Sequence, residues 1–112
     1  MKLANDFERV SLMNPQLNVL KQHNLLIPFE QEVLRVASNN WQSSHEFKNH
    51  LKGTPIFQQL LLILQDYHAA SGFGEPASFI GSVCSHLSNQ GRLKHSQAVC
   101  PIKNSIDDVF RL

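Results

Sequence analysis

Two stretches of this sequence hold the residue types that metal and nucleophilic chemistry require. His45-Glu46-Phe47-Lys48-Asn49-His50 approaches the H-E-x-x-H pattern of zinc metalloproteases but contains one residue too many. In a helix turning about 100° per residue, that extra residue sets the two imidazoles roughly 140° apart, too far around to share a metal. Cys84, His86, His95 and Cys100 form the second stretch. Cys84 and His86 point roughly 200° apart on a helix, and apolar periodicity through Leu87 keeps that helix running past both. The expectation is a buried structural Cys84 and a surface His86, with no metal and no cofactor.

A catalytic thiol needs a neighbouring base and a third group to orient that base, and neither cysteine carries a local signature of such a set. Gly72-Phe73-Gly74 follows a helix and leads into Glu75-Pro76 rather than lysine, so it does not read as a phosphate loop. The carboxylate pairs Glu30/Glu32 and Asp107/Asp108 suit first-turn helix positions, where they complement the helix dipole. The chain is therefore read as a non-enzyme.

The elements that position these residues are punctuated by proline. Pro15, Pro28, Pro55 and Pro76 each open a run of helix-period apolar residues. At the first helical turn proline loses no hydrogen bond, and its fixed φ suits the helix. Asn5 with Glu8 suggests a capped first helix bearing Phe7, Val10 and Met13. Leu17 and Leu20 mark a second that stops near Asn24, and Phe29, Val33, Val36 and Ala37 mark a third that ends at Asn39-Asn40. Ser43 and Glu46 form a capping box for a helix with Phe47 and Leu51, closed by Gly53. From Ile56 to Tyr67 apolar residues occupy nearly every face, which predicts a helix surrounded by others. After a turn at Ser71-Gly72-Phe73-Gly74, a long helix from Pro76 turns Phe79, Ile80, Val83, Cys84 and Leu87 inward and stops before Gly91, with Gly81 marking close helix approach. Beyond Arg92 the periodicity weakens, and Ser105 with Asp107 and Asp108 suggests a cap for a short terminal helix with Val109 and Phe110. The fold expected is all-α: a compact bundle of five or six short helices around a central apolar helix near residues 55–69, one helical domain over residues 1–112.

An apolar share of 42% and a charged share of 17% describe a folded chain, and 112 residues suffice for one core. A net charge of +1 gives no bulk attraction to nucleic acid or anionic lipid. The nine Asn and nine Gln equal the carboxylates in number, so much of the polar surface consists of amides, which desolvate more readily than charges in a contact. The N-terminal residues lack the apolar core of a Sec signal, and the longest apolar run, from Leu60 to Leu64, is far too short to span a bilayer. Two cysteines fit a reducing compartment. These features predict a soluble cytoplasmic protein that does not insert into membranes, with non-Sec secretion into a host cell as the alternative.

The segment from Pro28 to Phe73, a helix followed by the Ser43-Ser44-His45-Glu46-Phe47 helix, a turn at Gly53 and a third helix, resembles the three-helix core of winged-helix DNA-binding domains. That resemblance implies a transcriptional regulator. Against it, no Lys or Arg occurs between Lys52 and Arg92, whereas a groove-reading helix needs cations for phosphates and base edges. The Asn, Gln, His and Leu-rich composition also resembles that of small effector regulators of intracellular bacteria. The favoured expectation is a small helical protein–protein interaction module, an adaptor, chaperone-like protein or inhibitory regulator, whose partner is another protein or a second copy of itself. Its expected contact residues are Trp41, Gln42, His45 and Asn49 in one amide-rich patch, and Leu62 and Ile63 in an apolar seam.

Overall fold

Asn14 sets the first described helix in place. Its side-chain oxygen accepts hydrogen bonds from the backbone N–H groups of Gln16 and Leu17, at 3.0 and 3.1 Å, and so opens α1 (Pro15–Gln22). The computed structural model describes residues 14–65, 75–100 and 105–112. The expected helix around Phe7, Val10 and Met13, the residue Tyr67 and the turn at residues 71–74 lie outside these. Helix α2 (Leu26–Val36) begins two residues ahead of Pro28. Proline is tolerated there because the first four N–H groups of a helix all lack intrahelical acceptors.

A two-residue strand β1 (Gln42–Ser43) runs into α3 (Ser44–Leu51), where the capping box is complete: Ser43 Oγ accepts from the Glu46 N–H, and the Glu46 carboxylate accepts from the Ser43 N–H. Gly53, at φ +84°, reverses the chain after α3. Thr54 then caps α4 (Pro55–Leu64) by accepting from the Phe57 N–H. The longest of the described helices, α5 (Pro76–Asn89), turns Phe79, Ile80, Val83, Cys84 and Leu87 inward as the apolar spacing predicts.

The all-α expectation is overturned beyond Arg92. Strands β2 (Lys94–Cys100) and β3 (Ser105–Arg111) form an antiparallel hairpin, and β3 also pairs with β1 to give a three-stranded sheet in the order β1-β3-β2. The terminal helix expected around Val109 and Phe110 is part of this sheet. Asp107 and Asp108 fit a helix's first turn locally, but the backbone finds its partners in β2, in unbroken register from Lys94↔Arg111 to Cys100↔Ser105. Strand formation depends on such distant pairings more than on intrinsic preference.

The centre of the molecule is α5 rather than the helix near residues 55–69. It contacts α1, α2, α3, α4 and β2, whereas α4 lies to one side against α2 and α5. Phe29 of α2, Phe47 of α3, Phe79 of α5 and Phe110 of β3 are fully buried and belong to one apolar cluster with Leu20, Leu51, Leu60 and Ile80. Helices α2, α3 and α5 contact one another pairwise. In chain order α2, β1, α3, α4, α5 and the β2–β3 hairpin follow one another, and the trio in mutual contact is α2, α3 and α5 rather than the α2, α3 and α4 that the sequence grouped.

Candidate interaction surface

Of the residues able to do chemistry, Cys84 is the most enclosed. It is fully buried in the cluster around α5, and loss of solvation pushes its thiol up to about 12, so no reactive thiolate forms near neutral pH. His86, expected at the surface, is buried, and its Nε2 lies 3.1 Å from Oε2 of Glu30, itself buried on α2. Arg92, in the turn after α5, places a guanidinium nitrogen 3.6 Å from the other Glu30 oxygen. This set clamps the end of α5 to α2 instead of facing a cleft. A carboxylate in the middle of an apolar helix face was the available sequence signal, and the first-turn reading of Glu30 obscured it.

His95 Nε2 is 2.8 Å from Asp108 Oδ1 on the neighbouring strand, and the imidazole ring lies 5.2 Å from the ring of Phe110. Ser85 and Ser88 line a small recess beside this pair. A Ser-His-Asp relay also requires a serine hydroxyl bonded to the imidazole, and neither serine makes that bond. His45 and His50 are both exposed on α3. Among the described residues no group of three or more His, Cys, Asp or Glu side chains is placed to hold a metal ion.

Three surface features remain. Beside α5, a cleft of about 300 Å³ is lined by Asn14, Ser44, Ser78, Ser82, Asp107 and Asp108. Part of it is already engaged, since Gln16 of α1 donates to Ser78 Oγ at 2.9 Å and accepts from Ser82 Oγ. No Lys or Arg lies on α5, and the two aspartates across the cleft oppose a phosphate backbone.

A shallow groove of about 500 Å³ runs between α2 and α4, lined by Leu25, Pro28, Gln31, Pro55, Ile56 and Gln59. Leu62 continues the Pro55-Gln59 row one turn along α4 and is 64% exposed, and Ile27 on α2 is 65% exposed. Ile63, the other half of the expected seam, turns inward and is buried.

Trp41 is 43% exposed, with the Arg111 guanidinium carbon 4.8 Å from its ring centroid. Gln42 is half-buried: its amide nitrogen reaches Ser38 Oγ at 3.4 Å, while its oxygen is enclosed without a hydrogen-bond partner. His45 and Asn49 are exposed one turn apart on α3. Of the expected residues, Trp41, Gln42, His45 and Asn49 gather around β1 and α3 and Leu62 lies apart on the outer side of α4, while Ile63 is on neither surface. Arg111 is a neighbour of Trp41 that sequence reasoning missed, because only strand pairing brings it there.

No helix of the described residues is long and apolar enough to cross a membrane. No known protein family, curated protein or solved structure matches the chain.

Proposed function

We propose that this chain is a non-enzymatic protein-binding module, an adaptor or inhibitory regulator that acts by covering part of another protein. The observation that carries this reading is Leu62, a large apolar side chain facing solvent beside an amide- and proline-lined groove, with Ile27 exposed on the neighbouring helix. Anchors of this kind, ringed by polar groups that desolvate at modest cost, suit a protein contact. Photo-crosslinking in lysate of the source cells tests it, with the reactive side chain placed at position 62 and, as a control, at position 48. A discrete adduct from position 62 alone, lost on Ile27→Asp, is expected. The same adducts from both positions would overturn the reading.

A second reading, a nucleic-acid-binding regulator, draws on the winged-helix-like order of elements and on Arg92, Lys94 and Arg111 at the base of the hairpin. It requires a gel shift that weakens steeply as salt rises. Free migration of duplex DNA at low salt would dismiss it.

A further inference from the structure

The hairpin differs from the rest of the molecule in how little of it is covered. Every side chain of residues 94–99 is exposed, and among the described residues no strand pairs with the outer edge of β2. Natural edge strands are usually short, bulged, interrupted by proline or studded with charge. None of these holds for β2: it is seven residues long, keeps unbroken register with β3, contains no proline and carries Lys94 as its one Lys or Arg, at its first position.

We infer that this edge is a self-pairing surface, through which two copies of the chain join antiparallel to make one sheet continuous across both. With Gln97 on the two-fold axis, Lys94 lies opposite Cys100 of the second copy, His95 opposite Val99, and Ser96 opposite Ala98. This register uses the whole strand and sets no like charges opposite each other. The two Lys94 residues end about 20 Å apart at the rise of an antiparallel strand, beyond a screening length of about 10 Å.

The register also gives an exposed apolar residue at the edge a neighbour. Val99 and Ile106 face each other across β2 and β3 and are 62% and 67% exposed. They share a sheet face with His95, Asp108 and Phe110, because alternate residues of a strand point the same way. In the paired sheet, Val99 lies beside the second copy's His95, a ring already oriented by Asp108 and backed by Phe110. A second copy therefore brings both the hydrogen bonds that the edge lacks and a cover for Val99. The inference is independent of the partner that the α2/α4 groove binds.

Sedimentation of the intact chain from about 10 μM to about 1 mM tests it, since a self-association must grow with concentration. The wild type is expected to pass from one chain to two. Gln97→Lys and Gln97→Glu each place like charges opposite one another on the axis, and each variant alone is expected to stay single. Mixed together they are expected to pair again. Circular dichroism checks that both variants fold, as substitution at an exposed strand position allows. A wild type that stays single throughout, a Gln97 variant that dimerises like the wild type, or a mixture that fails to pair would each overturn the proposal.

Discussion

Two buried residues, Cys84 and Glu30, take their properties from what encloses them. The thiol of Cys84 is held well above its ordinary value of 9.0, at about 12, by burial alone. Below pH 9 the folded and unfolded chains both keep the proton. Above it the unfolded chain releases the proton first, so stability falls as pH climbs from 9 towards 12, by up to about 1.4 kcal/mol per pH unit. Urea unfolding at pH 8 and pH 10 is expected to show this loss, with a smaller drop in Cys84→Ala. Thiol labelling of a Cys100→Ser background at pH 8 is expected to stay negligible until the chain unfolds. Glu30 makes the complementary case. Glu30→Ala leaves the His86 nitrogen enclosed without its carboxylate acceptor and opens a small void between α2 and α5. Removing one member of a buried polar pair is expected to cost about 3 kcal/mol in denaturant unfolding.

At the level of the elements, two glycines call for opposite outcomes. Gly53 sits at φ +84°, a left-handed conformation that costs any residue with a Cβ, so Gly53→Ala is expected to lower stability by about 1 kcal/mol. Gly81 lies inside α5, where an added Cβ would meet the Ser44 Cβ at 3.5 Å, an ordinary contact. Gly81→Ala is therefore expected to stabilise by about 0.5–1 kcal/mol, read as a raised thermal midpoint. The close approach that the sequence suggested at Gly81 is real, but a methyl group fits it. The capping box of Ser43 and Glu46 forms as its spacing announces, because a cap is settled within four residues; Asn14 and Thr54, which the sequence reading did not name as caps, close the starts of α1 and α4 in the same local way. The hairpin was illegible for the opposite reason. Its strands are exposed on both faces over most of their length, so they carry no alternation of apolar and polar residues, and each becomes a strand only by meeting the other. The same blindness hid Arg111 over Trp41 and the exposed pair Val99 and Ile106. Within the α4 seam, the excess of apolar residues was legible, but which of Leu62 and Ile63 faced out depended on where α5 lay.

The whole molecule divides into a body that carries the stability and a hairpin that projects from it. The hairpin is joined to the body at its base, where Leu93, Val109 and Phe110 are buried, while residues 94–99 are exposed. Because an isolated two-stranded hairpin is at best marginally stable in water, its order must come from that base. Two substitutions separate the parts. Phe110→Ala removes a fully buried ring from the common apolar cluster, and should cost about 3–5 kcal/mol in urea unfolding while releasing both strands from the body. Ile106→Ser at the far end replaces a largely exposed side chain and should change stability by no more than about 0.5 kcal/mol. Amide exchange should follow the same gradient, with α5 protected to the level of global unfolding and the far half of the hairpin opening far more readily. An equal loss of stability from both substitutions would mean that the hairpin is part of the folding unit along its whole length. The unequal result makes its far half dispensable for folding, as the proposed pairing of the β2 edge with a second copy requires.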